Sequence, residues 1–179
     1  MKLFEIEKSE FDDFSSRNKI RNFYQTSEYG DWMEKRGYEC MYLAFMDEQR
    51  VIHAATLIIY KNVFANYKYG YAPRGFLIDY MNQSLFEEFT KHIKMYLKAK
   101  NFAYLKIDPP IIYKSRNKKG EAIPGGKNNT PLLMRMKDLG YIHLDFNNYF
   151  EALKPRWNAV IKLDKKENQM FKSFAKDIR

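Results

Sequence analysis

The sequence predicts an α/β chain of the α+β kind, a mixed sheet flanked by helices, on three observations. An apolar hairpin pattern occupies 41–60, a helix with a clean apolar stripe spans 84–100, and a strand follows directly at 102–108. The chain has 179 residues, 45% of them apolar and 17% aromatic, which is ample for a core and excludes disorder as the main state. Its length suits one domain, or one and part of another. No apolar run approaches the ~18 residues a spanning helix requires. Met1-Lys2-Leu3-Phe4-Glu5-Ile6-Glu7 places acids where a signal peptide would have its apolar stretch, so a cytoplasmic protein is expected.

Each element has its own signal. Ser9, with Asp12 three residues on, is expected to cap a short helix bearing Phe11 and Phe14. Thr26 or Ser27 caps a second, whose Tyr29, Trp32 and Met33 share a face and which Gly37 stops. Strands at 41–46 and 51–60 are joined by the polar loop Asp47-Glu48-Gln49-Arg50. A third, at 66–71, carries Tyr67, Tyr69 and Tyr71 in alternation and ends at Ala72-Pro73-Arg74-Gly75. The long helix opens on a capping box of Ser84 and Glu87 and buries Leu85, Phe89, Ile93 and Leu97.

The strand after it puts Ala103, Leu105 and Ile107 on one face and Phe102, Tyr104 and Lys106 on the other, until Pro109-Pro110 ends it. The loop at 109–130 is long enough to be either functional or locally disordered. Thr130-Pro131 opens another helix, which Gly140 closes. A further strand alternates Trp157, Ala159, Ile161 and Leu163. A last helix opens at Asp164 with Glu167, and its stripe of Phe171, Phe174, Ala175 and Ile178 runs to the final residue with no stop signal. Residues 1–153 are therefore expected to form one domain and 154–179 the beginning of a second, truncated one.

Charge is unevenly placed. The formal net charge is +9. Residues 109–130 hold five basic residues against one acidic, residues 154–179 hold eight against three, and the remainder is neutral. Such clusters suit polyanionic partners, such as phosphates, RNA or an anionic membrane face, or serve solubility alone.

Several chemistries drop away. Cys40 precedes an apolar strand with no nearby histidine and reads as a core residue. His53, His92 and His143 are too scattered for a metal, so none is expected. No Gly-rich phosphate fingerprint links a strand to a helix. Two segments remain. Arg74, between Pro and Gly at a strand end, either grips a phosphate or carboxylate bidentately or pairs with Asp79. Asp108, at the end of its strand, either orients or deprotonates an amine or caps the strand as an Asp-Pro turn. On the second helix, Lys35 at the stripe's edge and Arg36 on the side of Tyr29 and Trp32 can reach a pyrophosphate, or answer the helix dipole.

At these residues the sequence resembles the Fem/MurM (FemABX) family of peptidoglycan bridge aminoacyltransferases. The resemblance rests on Phe23-Tyr24-Gln25-Thr26-Ser27-Glu28-Tyr29-Gly30, on Pro73-Arg74-Gly75-Phe76-Leu77-Ile78-Asp79-Tyr80 and on Leu105-Lys106-Ile107-Asp108-Pro109. It continues through Leu139-Gly140-Tyr141 and Pro155-Arg156. It implies two acetyltransferase-like (GNAT-like) domains, of which this chain supplies the first and the start of the second. It implies transfer of an amino acid, glycine or another small one, from aminoacyl-tRNA to the stem-peptide amine of lipid II or a UDP-linked muropeptide. Aminoacyl-tRNA is then a co-substrate, no cofactor is called for, and contact with the inner membrane face is transient.

By family position Lys35 contacts the precursor's phosphates, and Tyr104, Arg74 and Asp108 lie in matching segments near the cleft; the resemblance singles out no general base. Arg36, Arg74 and Tyr104 stand as further candidate substrate contacts and Asp108 as the catalytic candidate. Lys118 and Lys119 of the loop and Lys176 and Arg179 of the tail are the nucleic-acid candidates. Ester aminolysis needs two positioned substrates, a stabilised oxyanion and one proton removed, but no covalent nucleophile. Two alternatives stand beside this reading. An acyl-CoA-dependent N-acyltransferase of GNAT type would need a Gln/Arg-x-x-Gly-x-Gly/Ala loop, which the sequence lacks. A non-catalytic muropeptide- or RNA-binding module would fit the charge map.

Overall fold

The computed structural model describes residues 1–145 and 164–174. Five strands form one sheet in the order β1-β2-β3-β4-β5. They are β1 (Lys2–Glu5), β2 (Glu39–Met46), β3 (Ile52–Phe64), β4 (Tyr67–Ala72) and β5 (Phe102–Ile107). Neighbours are antiparallel except β4 and β5, which run parallel because α3 (Gln83–Ala99) carries the chain back between them. This is the mixed, helix-flanked class that the sequence predicts.

Helices cover both faces. On one, α3 buries Leu85, Phe86, Phe89, Ile93 and Leu97 against Leu43, Phe45 and Ile58 of the sheet, with α4 (Thr130–Asp138) adding Leu132. On the other, α1 (Lys8–Arg17) and α2 (Ser27–Glu34) pack on β2 and β3 through Phe11, Tyr29 and Met33. Thr26 caps α2 by accepting the Tyr29 N–H, and Gly37 takes the left-handed φ of +77° after the helix. Gly30 is required by packing, since a Cβ there would run into the Tyr42 hydroxyl. Tyr42 is buried beside Phe11. Gly30→Ala is expected to cost a net ~1–2 kcal/mol in urea unfolding, because the overpacking penalty exceeds the helix-propensity gain of about 1 kcal/mol. Unchanged or raised stability would show that the ring yields.

Three expectations are corrected, and one strand escapes the sequence reading. The first helix starts after Glu7 with no side-chain cap, and Asp12 instead accepts the Ser27 N–H (2.8 Å) at the start of α2. The cap of α3 is Asn82, which accepts the Leu85 N–H, leaving Ser84 inside the helix and Glu87 bonded to Gln83. In β5 the register shifts, with Lys68 opposite Phe102 but Tyr69 opposite Tyr104. That extra residue exposes Ala103 and turns Phe102 to the α3 face with Leu105 and Ile107, where it meets Tyr60. The edge strand β1 carries no alternation strong enough to read, since only Leu3 is drawn toward the core.

The 109–130 loop is organised by its own bonds, with bridges Lys114 to Asn128 and Arg116 to Ala122. Residues 1–141 form one compact unit and 142–179 a second. In the second, the helix expected at Asp164 is α5 (Glu167–Ser173), and Phe174 is already extended after it, so the helix does not run on. The strand expected around Trp157 to Leu163, the Pro155-Arg156 pair and the expected 153/154 boundary lie outside the described residues, as do Ala175 and Ile178.

Candidate functional site

The site is built on the parallel pair β4 and β5, whose C-terminal ends lie at one edge of the sheet. Because α1 and α2 stop at β2 and β3, the same face of β4 and β5 stays uncovered among the described residues. Tyr69 and Tyr104 pack ring to ring there, centroids 4.7 Å apart, with Tyr104 60% exposed. Tyr71 and Lys106 are paired in register, and the Lys106 ammonium lies over the Tyr71 ring. Burial raises the phenol pKa of Tyr69 and Tyr71, with the neighbouring Tyr104 adding to the first and Asp108 to the second. Both stay protonated at neutral pH and act as hydroxyl donors.

The C-terminal end of α2 forms the wall. An aromatic chain runs through Tyr24, Tyr29 and Trp32, and the Arg36 guanidinium sits 4.7 Å from the exposed Trp32 ring. Lys61 of β3 lies 4.0 Å from the ring centre of Tyr38. The Lys35 side chain is exposed and makes no ion pair or hydrogen bond among the described residues. The acids of the same helix, Asp31 and Glu34, are both taken by Lys8 of α1. What remains at this end of α2 is cationic.

At the strand ends, Asp108 Oδ1 accepts the Tyr71 hydroxyl (2.9 Å) and the backbone N–H of Arg74 (2.6 Å). Oδ2 lies 3.9 Å from Arg74 Nε. Arg74 therefore pairs with Asp108, whereas the carboxylate of Asp79 accepts the Met81 N–H. Arg74 has a left-handed φ of +52°, and its terminal guanidinium nitrogens are unbonded among the described residues. The carboxylate secures the turn that presents the arginine.

A residue without a recognisable sequence signal holds this turn in place. Along β3, Ile59 pairs with Tyr71 of β4, and Ala55 exchanges both backbone bonds with Leu77 after the turn. Leu57, between them, faces Tyr42 of β2 on one side and has no strand residue opposite it on the other. The side-chain amide of Gln25 takes that position, accepting the Leu57 N–H (2.8 Å) and donating to the Leu57 carbonyl (3.2 Å) and the Pro73 carbonyl (2.8 Å). Gln25 is fully buried, and Gly75 lies so close to its amide that a Cβ there would press on it. Residues 73–76 can thus leave the sheet without orphaned backbone groups.

Cys40 is half-buried beside Gly30, and burial pushes its thiol up to about 12, so the thiolate is scarce at neutral pH. Among the described residues no cluster of three His, Cys, Asp or Glu can hold a metal ion. No helix among them is long and apolar enough to cross a membrane. Arg74 and Asp108 meet at the strand ends with Tyr71 and Lys106, Tyr104 packs on Tyr69 along the same strand pair, and Lys35 and Arg36 lie at the end of α2, Arg36 over Trp32. Lys118 and Lys119 lie instead at the tip of the 109–130 loop, where Asn117 Oδ1 accepts the N–H groups of Lys119 and Glu121. Lys176 and Arg179 are outside the described residues.

The model of the FemAB family matches residues 6–179. The chain belongs to the FemAB family. Aminoacyltransferase FemA of Staphylococcus aureus (strain bovine RF122 / ET3-1) is 31% identical over 175 residues, which is 97% of this chain and 41% of that protein. FemA of Staphylococcus epidermidis is 30% identical over the same share of this chain and 42% of its own length. This FemAB chain thus spans about two fifths of the curated relatives it matches. The crystal structure of FemX superposes with a TM-score of 0.64 at 22% identity, over 82% of this chain and 33% of FemX, which shows that the FemAB chain has that fold.

Proposed function

We propose that this chain is the acceptor-binding part of an aminoacyltransferase that extends the peptidoglycan stem peptide during bridge synthesis. The observation that carries the proposal is the ring pair of Tyr69 and exposed Tyr104 on β4 and β5, together with Arg74 and with Lys35 and Arg36, whose side chains make no ion pair among the described residues. Kinship with FemA supports the reaction class. A muropeptide attached to a diphosphate has an anionic head, a sugar and an extended peptide. Cations suit the first, tyrosine faces and hydroxyls the second, and a strand edge with a fixed arginine the carboxylates of the third.

In the reaction the stem-peptide amine attacks the ester carbonyl of aminoacyl-tRNA, and the carbonyl becomes a tetrahedral oxyanion. Collapse breaks the ester C–O bond, the tRNA ribose hydroxyl leaves with a proton, and the amine gives up one proton as the amide forms. The donor ester supplies the driving force, so positioning is the main task of the protein, and aminoacyl-tRNA enters as co-substrate with no separate cofactor. Within this chain, Lys35 and Arg36 hold the diphosphate, Tyr104 and Tyr69 hold the sugar-peptide segment, and Asp108 fixes Arg74. Lys118 and Lys119 are offered as tRNA contacts on charge alone.

Titration with a soluble UDP-linked muropeptide tests the reading. Lys35→Ala is expected to weaken binding about tenfold to a hundredfold, the worth of one charge-assisted phosphate contact. Undiminished affinity in the variant would remove the phosphate assignment. Binding of acyl-CoA without binding of the muropeptide would overturn the proposal.

A further inference from the structure

The β3–β4 hairpin extends past its neighbours on both sides. The last β3 residue opposite β2 is Tyr60, facing Glu39, and the first β4 residue opposite β5 is Lys68, facing Phe102. Residues 61–64 therefore run about 13 Å past β2 at the rise of an extended strand, and residues 63–67 stand beyond both neighbours as a two-stranded tip. At its tip Phe64 pairs with Tyr67 across Ala65 and Asn66, which have left-handed φ of 46° and 65°, the conformation of a tight type I′ turn. The tip is conformationally set and apolar. Phe64 is 82% exposed, Val63 63% and Tyr67 53%.

Soluble surfaces seldom place three large apolar side chains together at a protrusion without a use for them. The charges around the tip narrow that use. Lys61 and Lys68 lie one on each face of the ribbon, Lys61 over Tyr38 and Lys68 over Tyr60 and Phe102. Residues 61–68 contain no acid, and the carboxylate bonded to the ribbon is Glu39, through Asn62. Lys61 sits three residues behind Phe64, about 10 Å along β3, and Lys68 is next to Tyr67 at the base of the tip. That spacing matches an interfacial anchor, whose apolar groups enter the headgroup–acyl boundary by ~5–10 Å while its ammonium groups remain among anionic headgroups. In an RNA-binding surface the cations would leave ring faces open for bases, whereas Lys61 and Lys68 occupy the faces of Tyr38, Tyr60 and Phe102, and Val63 offers a base nothing to stack on.

We propose that the tip formed by Val63, Phe64 and Tyr67, with its collar of Lys61 and Lys68, docks the protein on an anionic membrane surface. Tyr69, the next residue but one along β4 from Tyr67, opens the tyrosine face. A docked hairpin would hold that face at the lipid headgroups, where a lipid-anchored acceptor presents its soluble head. The docking stands on the hairpin alone, and only this use of it rests on the function proposed above.

The test is co-sedimentation of the chain with vesicles of phosphatidylcholine alone and with about one third phosphatidylglycerol, at low and high salt. Binding to the anionic vesicles is expected, weakened by salt. The double variant Val63→Ser/Phe64→Ser is expected to lower the partition coefficient at least tenfold. Lys61→Glu/Lys68→Glu is expected to do so only on anionic vesicles. Thermal unfolding of the serine variant should match that of the parent, since Val63 and Phe64 are exposed, and that of the charge-reversal variant should fall only by the loss of the ring contacts of Lys61 and Lys68. Vesicle binding that both variants retain would overturn the proposal and place the contact on other basic segments. Loss of binding to a structured RNA, or of self-association, in the serine variant with vesicle binding intact would overturn it in favour of those partners. Titration of the Val63→Ser/Phe64→Ser variant with soluble UDP-linked muropeptide separates the two proposals, because this variant is expected to bind it as the parent does.

Discussion

Gln25→Ala is expected to lower the stability of the 1–141 unit by about 4 kcal/mol, read as a drop of roughly 10 °C or more in the main calorimetric transition. The side chain is fully buried and its amide makes three hydrogen bonds to main-chain groups. Each buried backbone group left unpaired costs about 1–3 kcal/mol, and the vacated volume adds a cavity. Against a typical domain stability of 5–15 kcal/mol such a loss is severe. Gln25→Met separates the causes. It keeps most of the volume, so if the hydrogen bonds dominate it should be nearly as damaging as alanine. A variant within 1 kcal/mol of the parent would mean that Leu57 and Pro73 find other partners.

The second large effect concerns Asp108, and two substitutions divide its possible roles. Asp108→Ala removes the acceptor shared by the Tyr71 hydroxyl and the Arg74 N–H, so it is expected to cost about 2 kcal/mol and to reduce aminoacyl transfer a hundredfold or more by freeing the arginine turn. Asp108→Asn keeps an oxygen for both donors while removing the basic carboxylate. If the residue acts by positioning, transfer by the asparagine variant should stay within about tenfold of the parent with an unchanged pH profile. A general base would contribute 10²- to 10⁴-fold, so a loss of that size in a stable asparagine variant would assign the proton transfer to Asp108.

The periodic parts of this fold can be read from the chain because they depend on neighbours in sequence. The hairpin of β2 and β3, the Thr26 cap, the stripe of α3 and the terminating Gly37 and Gly140 are of this kind. What escapes depends on partners distant in sequence. Arg74 has Asp79 five residues away and Asp108 thirty-four away, and only the parallel pairing of β4 with β5 decides for the latter. A buried glutamine opposite a strand gap has no pattern at all, although Gln25 lies inside one of the segments that carry the family resemblance. The tyrosine face was half legible. Alternation places Tyr67, Tyr69 and Tyr71 together, but their meeting with Tyr104 requires the register of β5, which a single extra residue near Ala103 resets.

The ion pairs of Lys8 bear on how fast, as well as how tightly, an anion is captured. Outside its loop and tail the chain is neutral by count, and a neutral body exerts little long-range pull. At the end of α2, however, Asp31 and Glu34 are matched by Lys8, whose own proton is held more firmly by Asp31 first and Glu34 next. Within the ~8 Å over which charges are felt at physiological ionic strength, an incoming diphosphate therefore meets Lys35 and Arg36 undiluted. The encounter rate is set in part by a lysine on another helix that contributes by occupying the carboxylates nearest the path of approach.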